Sequence, residues 1–476
     1  MGIIFANLIF ILTLVIFTSY LLLGIFSAVA LRKYLRKNSY INYNALVLSP
    51  LVPRISIIAP AYNESKSIID NVRTLLSLYY NNFEVIIVND GSTDDTFRKV
   101  VQAFDLVKVN YYFDYRIPCE RIKGVYKSDN PSYTRLTVID KNNGGKADSL
   151  NAGINISRNS LIVTIDADSI IEPDSILKLV KPFLEEKEKK VIGTGGVIRI
   201  VNSCEVERGH IRQIKLPDQL LPRLQVLEYT RAFLLGRMAW SHLDGLMLIS
   251  GAMGMFDRET VIRAGGYSTK TVGEDMELVL RMRRYKAERK EKYEVTYIPD
   301  PLCWTEAPSD FKSLRKQRTR WTRGLIESLW THKKIFLNPK YSRLGVLGYP
   351  YWFLFEWLSP LIAFSGIAYT VYLAIAHKLN VPFFLLLFLF VYTFAVSLSV
   401  WAVLFEEITF HKYGRKRDVL RLIATAMVEP FLYPMHTLFA LIGNVEALGG
   451  KQGWGKATRS GFEKKKHPER KKKSAS

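Results

Sequence analysis

Apolar and polar positions divide the chain into regions of different rhythm. Residues 2–31 carry no charge, a run long enough to cross a bilayer core of ~30 Å. From about residue 53 to 308 short apolar runs alternate with amphipathic stretches. Ile55–Ala59, Phe83–Val88, Leu136–Ile139 and Leu161–Ile165 read as buried strands, and 65–77, 94–104 and 146–156 as helices. Long apolar runs return at 344–376, where only Glu356 is charged, at 379–405, where nothing is, and at 422–445. The last holds Glu429, Pro430, Pro434 and His436. It suits a broken, re-entrant or interfacial helix, because irregular backbone at membrane depth must be covered by protein.

Strands alternating with helices imply an α/β fold, a mainly parallel sheet covered by helices, joined here to an α-helical transmembrane region. Ligands of such sheets lie beyond the carboxyl ends of the strands. Asn63, Asp90 and Asp168 fall just beyond three of those ends. No GxGxxG follows the first strand, which weighs against a dinucleotide cofactor.

Ala28-Val29-Ala30 looks like a signal-peptide cleavage site. The run before it has no basic n-region and is too long for an h-region, so a retained anchor is expected. The net charge of +22 would suit nucleic acid, but its placement points elsewhere. Arg32, Lys33, Arg36 and Lys37 follow the first span, Lys412, Arg415, Lys416 and Arg417 follow the 379–405 run, and 464–473 form a basic tail. These flanks are cytoplasmic by the positive-inside rule, with the N-terminus outside. Attraction to anionic lipid headgroups accounts for the excess, and no zinc-finger or RNA-binding pattern appears, so no nucleic-acid partner is expected. The expectation is a multi-pass protein of the cell membrane with its globular part in the cytoplasm. Cys119, Cys204 and Cys303 have no metal or redox spacing and read as reduced thiols.

Six clusters carry candidate chemistry. Ala61-Tyr62-Asn63-Glu64 follows the first strand and Asn89-Asp90-Gly91-Ser92 the second. Each alone could be a polar turn or a helix cap. Lys146 sits behind Gly144-Gly145 at a helix start, where N–H groups and an ammonium can meet a phosphate. Asp166-Ala167-Asp168 ends an apolar strand, so two carboxylates i and i+2 apart would point one way. A divalent ion shares such oxygens with the phosphates of its substrate, and Mg2+ and Mn2+ both suit them. Gly273-Glu274-Asp275 opens a helix, where acids also occur for plain dipole reasons. Gln317-Arg318-Thr319-Arg320-Trp321 lies in a basic amphipathic stretch, 311–337, that would suit an interfacial helix.

In this order and between apolar runs, the clusters resemble the membrane-embedded family-2 glycosyltransferases, which include the cellulose, chitin, hyaluronan and poly-N-acetylglucosamine synthases. The resemblance spans roughly 55–324 and implies a GT-A-like, Rossmann-like fold. It implies that Ala61, Tyr62, Asn63, Glu64, Asp90, Lys146, Asp166, Gln317 and Arg320 bind the nucleotide sugar, with Asp90 at the base and Arg320 on the diphosphate. Asp168 would hold the metal, and Asp275, beside Glu274, would act as general base. Trp321 would floor the acceptor sugar, with Gly251 and Ala252 in the small-residue loop that shapes its site.

The expected organisation is an anchor to residue 31, a cytoplasmic part over 32–310, interfacial helices over 311–342, a membrane region over 343–445 and a basic tail over 446–476. The expected function is inverting transfer from a UDP-sugar, UDP-N-acetylglucosamine or similar, to a growing polysaccharide. A GDP-sugar is the alternative donor. Addition of one sugar to a lipid-linked acceptor is the alternative reaction, and a silent nucleotide-sugar-binding scaffold the alternative class. Three clear spans are few for a polymer channel unless a homo-oligomer or an accessory membrane subunit contributes.

Overall fold

A computed structural model describes residues 2–449 apart from 40, 42, 50, 51, 167, 168 and 208. The basic tail lies outside the described residues from 450 onward. The strands in chain order are β1 (Ile55–Ala61), β2 (Phe83–Asn89), β3 (Leu106–Val109), β4 (Ile122–Ser128), β5 (Leu136–Lys141), β6 (Leu161–Ile165) and β7 (Ile170–Ile171). They continue with β8 (Lys190–Ile200), β9 (Glu205–Glu207), β10 (His210–Gln213), β11 (Met253–Asp257) and β12 (Tyr293–Thr305).

Ten of them form one sheet in the order β3-β4-β5-β2-β1-β6-β11-β8-β12-β7, and β9 and β10 form a separate hairpin. β5, β2, β1 and β6 are parallel, as are β8 and β12, while β4, β11 and β7 run against their neighbours. The inner strands are buried on both faces, which is why they read as unbroken apolar runs. β8 is less legible because Gly193, Gly195 and Gly196 interrupt its apolar run. The side chain of Ile249 fills the room, and a Cβ on Gly195 would stand 2.9 Å from it.

Register sets the rim. Ala61 pairs with Asn89 and Asn89 with Asp140, so three chains leave the sheet side by side. β11 enters where β6 leaves, with Met253 opposite Ile165. A loop 85 residues downstream in sequence therefore reaches the same rim.

Among the described residues, three helices are long and apolar enough to cross a membrane: Phe10–Asn38, Leu344–Ile375 and Val381–Thr409. The first continues past its apolar part, and its polar foot docks on the globular part. There Tyr34 donates to Asp300, and Lys37 lies 2.6 Å from Glu185. The 422–445 run is broken, as helix Lys416–Val428, a tight turn at Glu429–Leu432 and helix Tyr433–Leu448. Pro430 lies at the start of the turn and Pro434 at the start of the second helix, where a missing N–H costs no helical bond. The Leu220–Thr230 helix passes into a π-helical stretch, Arg231–Arg237. Here Arg231 pairs with Glu429 at 2.8 Å and donates to Ser399 at 2.6 Å, which ties the globular part to the turn and to the long apolar helix Val381–Thr409.

Candidate active site

The loops leaving β1 and β2 are joined by Asn63. Its φ of +57° places it in the left-handed region, which asparagine tolerates better than most residues. Its side-chain oxygen accepts from Thr93 N–H at 2.8 Å, and its own N–H donates to Ser92 Oγ at 3.1 Å. Ala61 is buried, Glu64 N–H donates to Thr96 Oγ1 at 2.8 Å, and Tyr62 is 44% exposed at the rim.

Asp90 faces inward. One carboxylate oxygen accepts from Lys141 Nζ at 2.6 Å and Gly144 N–H at 2.9 Å. The other accepts from Gly145 N–H at 2.8 Å and Asn143 Nδ2 at 3.2 Å. Lys141 is wholly buried and also lies 2.6 Å from Asp148. Sequence reasoning passed over this lysine, whose only trace is its place at the end of an apolar strand. The network sculpts the Asn142–Gly145 loop, in which Gly145 at φ +88° has open space where a side chain would stand.

The loop ends at Lys146, which begins the helix Lys146–Ile156. Its ammonium lies 2.5 Å from Asp166 Oδ1 and 3.3 Å from Glu274 Oε1, and it donates to Gly251 O at 3.3 Å. Burial would lower its pKa, but the Asp166 and Glu274 carboxylates hold it well above the lysine range. Gly251 N–H in turn donates to Asp275 Oδ2 at 2.9 Å. A Cβ at Gly251 would stand 3.0 Å from the Lys146 ammonium and 3.3 Å from the Asp275 carboxylate. Burial pushes the Glu274 carboxyl up to about 6, with Asp275 adding to the rise and Lys146 opposing it.

Asp166 follows β6 and does not extend it. Its N–H donates to Ala252 O at 3.2 Å, and its carbonyl accepts from Ser169 N–H at 3.0 Å. The strand expected to carry the first aspartate therefore stops short of Asp166. Asp168 lies outside the described residues. Among the described residues no three acidic, histidine or cysteine side chains converge as metal ligands. Asp166 presents a partly exposed carboxylate at the rim. That fits an ion completed by substrate phosphate oxygens and not by a protein cage.

The helix Phe311–Thr331 crosses this cluster. Asp310 caps it, accepting from Ser313 N–H at 2.9 Å. Arg320 bears electrostatically on Glu274. Gln317 has a buried side-chain oxygen without a protein partner among the described residues. Trp321 is 40% exposed, with the Arg318 guanidinium 4.7 Å over its ring and Tyr229 6.3 Å away. Arg318 forks onto Glu228. Burial would raise that carboxyl, but the guanidinium holds it below the usual range. Of the residues singled out from sequence, Lys146, Asp166, Gly251, Glu274 and Asp275 thus gather in one cluster. Ala252 adjoins it, Asn63, Tyr62 and Asp90 line the neighbouring rim, and Gln317, Arg320 and Trp321 sit on the covering helix.

Comparison with known proteins adds three findings. A family model described as glycosyl transferase family group 2 matches residues 161–400, and one described as glycosyl transferase family 2 matches residues 56–116. A poly-beta-1,6-N-acetyl-D-glucosamine synthase of Staphylococcus epidermidis is 27% identical over 284 residues, 59% of this chain and 57% of the relative. The enzyme of that name from Staphylococcus aureus strain COL is 26% identical over 275 residues, 58% of this chain and 55% of the relative. The match thus spans little more than half the length of these curated relatives. Among solved structures, a Pyrobaculum calidifontis mannosyltransferase in complex with GDP-Man and Mn2+ superposes with a TM-score of 0.53 at 17% identity. It covers 92% of this chain and 100% of that one, a likeness of fold.

Proposed function

This chain belongs to glycosyl transferase family 2, and from that membership we propose that it moves a sugar from a nucleotide donor to a hydroxyl of a growing polysaccharide, with inversion. One observation carries the reading: Lys146, Asp166, Gly251 and Asp275, from four separate segments, meet within hydrogen-bonding distance at the carboxyl edge of the sheet.

In this mechanism the donor lies along the rim between Tyr62 and the Asn142–Gly145 loop. Asp90 acts chiefly through that loop, since both its oxygens already accept protein donors. Lys146 and Arg320 meet the diphosphate, the guanidinium bidentately, and the unpartnered Gln317 oxygen accepts from a donor hydroxyl. Asp166 and Asp168 would hold Mg2+ or Mn2+, which offsets the charge of the departing nucleoside diphosphate. The Mn2+ in the mannosyltransferase complex supports a divalent ion here. Asp275 Oδ2, held by Gly251 N–H, takes the proton from the acceptor hydroxyl as its oxygen attacks the anomeric carbon. Trp321 offers the acceptor an apolar face that Arg318 and Glu228 keep in place. The catalytic cluster faces the cytoplasm, the side to which the positive-inside rule assigns the basic flanks.

The named staphylococcal relatives favour UDP-N-acetylglucosamine as donor. One sugar added to a lipid-linked acceptor is the second reading, favoured by only three spanning candidates among the described residues. The test is nucleoside diphosphate release from UDP- and GDP-sugars by protein in lipid, with and without Mn2+ or Mg2+, beside Asp275→Asn. Metal-dependent release from one donor, lost in the variant, supports transfer. Products of one or two sugars throughout would leave the single-addition reading. Donor binding without any release would leave a binding scaffold.

A further inference from the structure

Arg320, Gly324 and Glu327 stand at i, i+4 and i+7 on the helix Phe311–Thr331 and so share one face. That face lies against the segment that delivers Glu274 and Asp275. Glu327 Oε2 accepts from Thr271 Oγ1 at 2.8 Å and from Val272 N–H at 2.9 Å. Thr271 Oγ1 also accepts from Gly273 N–H at 3.0 Å, which passes the tie along the loop. Thr271 and Val272 are 8% and 9% exposed, so these groups have little water to turn to if Glu327 is lost. One turn nearer the site, Gly324 touches Gly273 backbone to backbone. One turn further, Arg320 bears electrostatically on Glu274.

We propose that Glu327 is a positioning residue for sugar transfer: it fixes the register between the helix bearing Arg320 and Trp321 and the loop bearing Glu274 and Asp275. The inference rests on the transfer reading above. A carboxylate suits the task, since its hydrogen bonds to N–H and O–H are shorter and stronger than those of a neutral acceptor. The Gly273–Gly324 contact sets how closely helix and loop approach. Glu327 sets how far one slides along the other, and a slip of about 1 Å at a reacting group costs on the order of a hundredfold in rate.

The experiment is a double-mutant cycle in the full chain in lipid: wild type, Glu327→Ala, Arg320→Ala and both, reading kcat, KM and Tm. Glu327→Ala lowers kcat roughly ten- to a hundredfold. In the Arg320→Ala background it lowers kcat several-fold less than in wild type, because one of the groups it aligned is gone. Glu327→Gln, which still accepts from Val272 N–H, recovers most of the rate. If the two losses multiply, the proposal is overturned and the transfer reading stands. If Glu327→Ala does not fold, Thr271→Val carries the same cycle under the same criterion. No release and no nucleotide binding by wild type overturns the transfer reading and this proposal with it.

Discussion

Gly273 and Gly324 pack backbone against backbone: a Cβ on Gly273 would stand 2.8 Å from the Gly324 Cα, and one on Gly324 2.7 Å from the Gly273 Cα. Neither neighbour is a side-chain end that could swing aside. Gly324→Ala therefore pushes the covering helix off the loop that leads to Glu274 and Asp275. The expected loss is about 1–3 kcal/mol of stability, read as a lower Tm, with nucleoside diphosphate release down at least about tenfold. A rate equal to wild type would show that this spacing does not matter to transfer.

Asp275→Asn keeps an oxygen for Gly251 N–H but has no basic lone pair to take a proton. Turnover is expected to fall roughly a hundredfold or more, while equilibrium binding of nucleoside diphosphate stays within about threefold, inside the range of ordinary context effects. Weakened binding together with lost turnover would instead place Asp275 in the donor pocket.

The raised pKa of Glu274 gives a signed pH dependence. Its carboxyl moves from an ordinary 4.5 to about 6 in the folded protein, chiefly through burial. Between those values the native state keeps a proton that the unfolded chain has released. Stability therefore falls as pH rises through that window and levels off above it, by about 2 kcal/mol in all. Thermal midpoints across pH 4–8, in chelator and without nucleotide, should show this slope, and Glu274→Gln should flatten it. A slope that survives the substitution belongs to another group.

Arg199 and Glu406 pair at 2.5 Å, both nearly buried, and join β8 to the long apolar helix Val381–Thr409. Glu406→Ala leaves the guanidinium buried without its charge partner and should cost about 3–5 kcal/mol. Adding Arg199→Met removes the orphan and should restore most of the lost Tm. Equal Tm for the single and double variants would mean that the guanidinium finds water or another acceptor.

Asp166→Asn should lower the response to Mn2+ or Mg2+ and also loosen Lys146, its partner at 2.5 Å. Titrating metal against release separates the two effects. A raised metal requirement at unchanged maximal rate marks ion binding, and a lowered maximal rate at unchanged requirement marks the lysine.

The placement of much of the candidate site was legible because its residues sit at fixed offsets from apolar strands. Asn63, Asp90 and Asp166 each follow a run that a doubly covered parallel sheet makes continuous. The helix beginning at Lys146 coincides with the stretch read from its pattern. Lys141 was not legible, because a lysine closing a strand looks like a surface residue until Asp90 and Asp148 are seen on either side of it. Glu327 likewise reads as one more charge on an amphipathic helix.

The sequence by itself determined the family, the spanning runs, the strand ends that carry polar residues and the helix that carries Arg320 and Trp321. These depend on local periodicity and on motif order, which the chain records directly. Only the tertiary structure decided that β11 runs against β6 and so brings Gly251 between Lys146 and Asp275. It also decided that Asp90 turns inward to Lys141 and that Gly324 lets one helix touch the loop before Glu274. Sheet order, register and backbone contact are set by packing between segments distant in sequence, and no local pattern encodes which segment will be the neighbour.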